Sequence, residues 1–216
     1  MGADPLHKDI FIEVDYMMGR VCTDPICPSF SLRPSAAALD KVTNAFADAP
    51  VSNPDGSTGI TLHIDNGPNS VMNPVNGGLW GSLSEANPMA LADIAPPNGE
   101  SFMSRRDSFF EPARRPIFRY LITANKVGED EVALDCYPKL LGYAMNNDMI
   151  NYYGAYSGLF PSNFEQAVVF MHELGHTLGL QHGGYDSIND KPNYLSIMNY
   201  VLLIMGADQK FNFWTS

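Results

Sequence analysis

DIFIEVDY (residues 9–16), PSAAALDKVTNAFA (residues 34–47) and ITLHI (residues 60–64) follow one another early in the chain, and their order decides the fold. In the first, Ile10, Ile12, Val14 and Tyr16 alternate with a set that includes Asp9, Glu13 and Asp15, which is the period of a strand. In the second, Leu39, Val42 and Phe46 recur at helical spacing, and Pro34 or Ser35 suits the start of the helix. NPDGSTG (residues 53–59) marks a turn, and ITLHI is a second short strand. Strand, helix and strand in this order form a βαβ unit, so the two strands are expected to be parallel.

Working outward, residues 65–112 read as loop (NGPN, NPVNGG, NPM, APPNG). A span of that length in a compact domain is either functional or wraps a surface. IFRYLITANKV (residues 117–127) is a third strand, and YYGAYSGLF (residues 152–160) is expected to be a Gly-interrupted edge strand. Ser162 is placed to cap a helix over 163–178, with Glu165 completing a capping box. There is no repeat, low-complexity tract or linker. The layout is α/β, a single domain over 1–216 with the last helix packed on a mostly parallel sheet.

The chain has 216 residues, 45% of them hydrophobic and 17% charged, which excludes a disordered chain. Its 13 Lys+Arg against 24 Asp+Glu, a net charge of −11, argue against nucleic-acid binding and against docking on anionic lipid. A basic or cationic substrate is compatible with that charge. No stretch is long and apolar enough to span a bilayer. MGADPLHKD at the start lacks the apolar core of a signal peptide, which leaves open retention inside the cell, another route out, or a longer parent chain. Delivery outside the producing cell is the expectation. Cys22 and Cys27 flank CTDPIC and could be bridged, leaving Cys136 free or paired elsewhere.

The chemistry concentrates in HELGHTLGLQH, residues 172–182, which holds three of the chain's 5 histidines. His172 and His176 are four apart on the expected helix, so both imidazoles leave one face one turn apart. That suits two ligands of a tetrahedral Zn²⁺. Glu173 lies about 100° around the helix axis. It is poorly placed as a third ligand but able to reach a water on the metal's open side and act as general base and acid. Gly179 falls where the helix should stop, and a positive φ there lets His182 swing back as third ligand. Three neutral imidazoles with one open position make a catalytic arrangement, whereas a structural zinc would have a fourth protein ligand.

SIMNY follows at residues 196–200. HExxHxxGxxH with a downstream Met in a tight turn resembles the metzincin metalloproteases. That resemblance implies Met198 as an apolar floor beneath the zinc ligands, and Tyr200 as a phenol able to stabilise the oxyanion. It further implies a twisted, mostly parallel upper sheet with the zinc helix behind it over residues 9–179, and a small irregular lower lobe over 180–216. An edge strand above the cleft, taken to be 152–160, would pair with an extended polypeptide. Gly183 follows the third His where the named subfamilies often have Glu, Asp, Ser or Pro, so no subfamily follows. The reading is a zinc endopeptidase. Its alternatives are a zinc hydrolase acting on a non-protein amide such as a cell-wall cross-link, and a binding module in which zinc only stabilises the fold.

Other polar residues have plainer readings. His63 on the second strand is expected to be hydrogen-bonded or at the surface, and His7 solvated. Asp186, Asn189 and Asp190 in GGYDSINDKPN offer oxygen ligands for Ca²⁺, against the reading of an ordinary Asx-rich loop. The acidic run at 128–131 is a solvated turn. Oligomeric state is not legible.

Overall fold

The computed structural model describes residues 2–20, 29–92, 94, 100–125, 141–153 and 161–200. Cys22, Cys27, Cys136, the acidic run at 128–131 and everything after Tyr200 lie outside those residues, as does most of the expected strand at 152–160.

Among the described residues the fold is a mixed α/β arrangement of a mostly parallel seven-stranded sheet, a small two-stranded one and three α-helices. Its spine is β1 (Asp9–Arg20), which pairs in parallel with β3 (Thr61–Asp65) in the register Asp9 with Thr61 to Glu13 with Asp65. It also pairs in parallel with β7 (Phe118–Ala124), from Phe11 opposite Phe118 to Tyr16 opposite Thr123. Helix α1 (Ala36–Ala47) links β1 to β3, so the expected βαβ unit is present and parallel. Ser35 caps α1 by accepting from the Ala38 N–H at 3.1 Å. Beyond β7 the sheet continues through β9 (Asp148–Tyr152), parallel, to β8 (Gly142–Met145), antiparallel at the end of the order. The far part of β1 carries β2 (Ser29–Ser31), antiparallel, and β6 (Pro88–Ala90), parallel.

Of the expected edge strand at 152–160, Tyr152 is the last residue of β9, and 154–160 lie outside the described residues. Among the described residues the sheet ends at β8, joined to β9 by the two-residue turn Asn146-Asn147. Asn146 takes the left-handed φ of 57° that such a hairpin turn requires. Residues 65–112 are also more ordered than their composition suggests. They contain the small hairpin β4 (Val71–Asn73) and β5 (Gly78–Leu79), strand β6, and helix α2 (Glu100–Phe109). Only Phe102 of α2 is buried, so its sequence lacks the apolar stripe that announces a helix.

Each face of the sheet has its own core. Ile12, Val14, Leu62, Leu121 and Met149 pack with Leu39, Val42 and Phe46 of α1 and with Phe170, Met171 and Leu174 of α3 (Asn163–Thr177). On the other face Phe11, Phe118, Tyr120, Ile122 and Ile150 lie under Trp80, Met89, Phe102 and Phe110, all from the segment expected to be loop. That segment is a wrap that buries the second face of the sheet.

Under the wrap lies a set of fully buried charges. Glu13, Asp15 and Asp65 are shielded from water beside the nearly buried Arg114. Arg114 Nη1 donates to Glu13 Oε2 (2.9 Å) and Asp65 Oδ2 (2.8 Å), and its guanidinium lies over the rings of Phe118 and Trp80. Asp15 accepts from the Tyr120 hydroxyl at 2.5 Å. Three buried carboxylates face one guanidinium, so ionising all three would leave uncompensated buried charge. Burial first, and the Asp15 charge second, push the Glu13 carboxyl up to about 8; burial pushes Asp15 up to about 7.

Candidate metal centre

Helix α3 supplies the first half of the site, and its start is the one expected. Ser162 Oγ accepts from the Glu165 N–H at 3.2 Å, and Glu165 Oε2 accepts from the Ser162 N–H at 2.7 Å, so the capping box is complete. The helix stops at Thr177, and Gly179 takes φ +88°. The Gly179 N–H donates to the His176 carbonyl and the Leu180 N–H to the Gly175 carbonyl, both at 3.0 Å, which turns the chain back across the helix end.

That turn brings His182 to the two helical histidines. Among the described residues, His172, His176 and His182 are the group of metal-ligating side chains able to hold an ion, with one ligand atom from each lying within 4.8 Å of the others. His172 Nδ1 meets the Ile197 carbonyl and His176 Nδ1 the Leu180 carbonyl, each at 2.9 Å. A carbonyl only accepts, so both rings carry their proton on Nδ1 and present a bare Nε2. Those two Nε2 atoms stand 3.1 Å apart. Two lone pairs at that distance repel unless a cation lies between them. A tetrahedral ion with Zn–N bonds of about 2.0–2.1 Å spaces two such nitrogens by roughly 3.3 Å. His182 Nε2 is buried with no hydrogen-bond partner among the described residues. The donor set therefore fits a metal ion.

Electrostatics agree with neutral imidazoles. Burial holds His172 down to about 3, and burial also lowers His176 and His182. Glu173 is buried beside them, its Oε2 without a hydrogen-bond partner among the described residues, and burial pushes its carboxyl well above the usual carboxylate range. The Tyr200 ring lies 4.2 Å from the His182 ring and 5.6 Å from that of His172. Burial, and then the charge of Glu173, raise the Tyr200 phenol, so it keeps a proton to donate.

Met198 is buried, and its sulfur lies where a β-carbon on Gly175 would come within 2.5 Å. Gly175, between the two helical histidines, thus leaves room for Met198 against the helix. The turn is tied down by Asn199, whose Nδ2 donates to the Lys191 and Tyr194 carbonyls at 2.9 and 3.0 Å. Of the residues singled out for the metal site, His172, Glu173, His176, His182, Met198 and Tyr200 are drawn together, and Gly179 lies in the turn that leads from His176 to His182.

Others belong elsewhere. His63 is buried beneath the wrap, 2.6 Å from both Asp9 Oδ1 and the Met72 carbonyl and stacked on Phe11. His7, expected in solvent, is half-buried, with Nδ1 3.3 Å from the Thr61 hydroxyl. In the loop offered for Ca²⁺, the Asp186 carboxylate pairs with Lys191 at 2.7 Å and accepts from the Ile188 N–H, which is the Asx-turn reading. Gly142 was missed by sequence reasoning: a β-carbon there would meet Glu173 Oε1. The Asn-Asn pair between GYAM and DMINY was the signal that could have placed it on an edge hairpin. No protein-family model matches the chain, and no curated protein matches it either.

Proposed function

We propose that the chain is a zinc-dependent endopeptidase of the metzincin type, acting on extended polypeptides. The observation that carries the reading is the convergence of three imidazoles, two of them with Nε2 atoms 3.1 Å apart, beside the buried carboxyl of Glu173. His172, His176 and His182 would hold the ion. When bound, zinc supplies a +2 Lewis acid that polarises the scissile carbonyl and acidifies water.

The chain's own groups do the rest. Glu173 takes the proton of the attacking water and returns it to the leaving nitrogen. Burial suits it to that exchange, because a carboxyl in a dry site holds a proton readily. The Tyr200 phenol donates to the developing oxyanion. Met198 and Gly175 keep the floor of the site apolar and close-packed. Strand β8 ends the sheet, carries Gly142 next to Glu173, and has no further strand on its outer side among the described residues. An extended substrate can add there as one more strand. No helix among the described residues is long and apolar enough to cross a membrane, and action outside the producing cell remains part of the proposal.

The test compares the wild type with Glu173→Gln on a peptide library, with cleavage sites read by mass spectrometry and zinc content measured in both. Cutting of internal bonds by the wild type, with a loss of at least about 10²-fold in the zinc-loaded variant, is expected. Zinc uptake without cutting by either sinks the peptidase reading and turns attention to a non-protein amide or a binding module.

A further inference from the structure

The three histidines are not held alike. His172 and His176 each give their Nδ1 proton to a main-chain carbonyl at 2.9 Å. For His182, the polar group at Nδ1 among the described residues is the side-chain amide of Asn189, with Nδ2 at 3.4 Å. In that orientation two buried atoms find no partner among the described residues, Asn189 Oδ1 and His182 Nε2. A ligating Nε2 must be bare, which places the neutral ring's proton on Nδ1 and calls for an acceptor there. Oxygen and nitrogen of an amide have nearly the same shape, so a half-turn of the group exchanges them in place. Oδ1 then accepts from Nδ1–H, and His182 acquires the same tautomer as the other two histidines, with a bare Nε2.

We propose that Asn189 is the positioning residue of the third histidine: its amide oxygen accepts the Nδ1 proton of His182 and so aims Nε2 at the ion. This rests on the metal-centre reading above and assigns Asn189 a role other than calcium ligation.

The loop between the two residues is built to return the chain. The Gly183 N–H donates to the Asp186 carbonyl and the Gln181 N–H to the Gly184 carbonyl, both at 2.8 Å. A β-carbon on Gly183 would collide with the Asp186 carboxylate, the Ile188 carbonyl and Lys191 Nζ, so only glycine lets the loop close. Lys191 Nζ bridges the Gly183 carbonyl (3.2 Å) and Asp186 (2.7 Å), and the Lys191 carbonyl is tied to Asn199. Asp190, next to Asn189, takes the left-handed φ of +61°. Two lysine contacts and a left-handed residue thus hold Asn189 beside Nδ1 of His182, while the Tyr200 ring lies 4.2 Å from the His182 ring. An outer partner of a ligating histidine commonly contributes 10–100-fold in metal affinity.

The experiment titrates zinc against a chromophoric chelator in the full chain, for the wild type, Asn189→Leu and Asn189→Asp. Circular dichroism checks the fold of each, and ¹⁵N NMR of the zinc-loaded wild type reads the His182 tautomer. Asn189→Leu is expected to bind zinc roughly 10–100-fold more weakly. Asn189→Asp keeps the acceptor and discards the donor, so it should remain within a few-fold of wild type, and the wild-type spectrum should show Nδ1–H. Equal affinity of Asn189→Leu and wild type overturns the positioning role alone. So does an equal loss in both variants, or a proton on Nε2 of His182. A wild type that takes up no zinc overturns the metal centre itself, and the role of Asn189 with it.

Discussion

Gly142 on the edge strand stands flush against Glu173: a β-carbon at position 142 would lie 2.5 Å from Oε1 and 2.7 Å from Cγ of the glutamate. Gly142 needs no special backbone conformation, since its φ lies outside the left-handed region. What it provides is space, and with it the position of the Glu173 carboxyl beside the metal centre. Gly142→Ala should push Glu173 off its place. Misplacement by about 1 Å can cost on the order of 10²-fold in rate. Zinc content should not change, since the three atoms nearest the added methyl all belong to Glu173 and none to a histidine. Steady-state rates on a peptide cut by the wild type, with zinc content alongside, check this, and an unchanged kcat would refute it.

Gly179 is the opposite case. Apart from its chain neighbours, no atom of the described residues lies within 4 Å of where its β-carbon would be, but its φ is +88°. Gly179→Ala therefore strains only the backbone, by roughly 1–2 kcal/mol. The turn also carries the Leu180 carbonyl that holds His176 and leads into His182, so zinc affinity should fall together with stability. Gly179→Asn should recover part of both, because Asn tolerates the left-handed region better. Urea midpoints and a zinc titration of the two variants test the order Gly, then Asn, then Ala.

The buried acids predict a stability that falls on the alkaline side. Glu13 is raised from 4.5 to about 8, so between those values the folded chain holds a proton that the unfolded chain has lost. Its contribution is full below about pH 4.5 and is lost as pH rises through 8. Asp15, raised to about 7, acts in the same direction at lower pH. His172, lowered to about 3, acts the other way, adding stability as pH rises from 3 towards 6.5. Above pH 6.5 the acids prevail. Unfolding free energy should drop between pH 6.5 and 8.5 by on the order of 1 kcal/mol more in the wild type than in Glu13→Gln, which mimics the protonated acid. Taking the difference between the two proteins cancels the metal's own pH dependence. Parallel pH profiles would show that Glu13 is ionised throughout.

Removing the metal should loosen the end of α3. With zinc at about 100 times its dissociation constant, binding adds about 2.7 kcal/mol to stability. A chelator should therefore lower Tm of the wild type, and excess zinc should restore it. His176→Ala should give a Tm insensitive to zinc, because it leaves two of the three ligands. A zinc-dependent Tm in that variant would point to binding elsewhere.

How much of this could be read in advance depends on the range of the interaction. Ser162 and Glu165 are three residues apart, His172 and His176 four, and Gly179 ends the same helix, so one turn of local geometry sets their relation. The βαβ unit was equally legible, because the periods of 2 and 3.6 are properties of single segments. Helix α2 was not, since it buries one residue and has no stripe, and the β8–β9 hairpin was not anticipated from its short strands.

The sequence by itself determined the zinc-type histidine spacing, the capped helix that carries it, the glycine turn and the parallel start of the sheet. Only the tertiary structure decided that Glu13 and Asp15 face Arg114 and Asp65 under the wrap, that Gly142 lies on Glu173, and that Asn189 meets His182. The first two contacts join residues far apart in the chain, and the third depends on how a tight glycine loop closes. Strand register and loop closure are chosen by the burial of the whole core, and no short window of sequence contains that information.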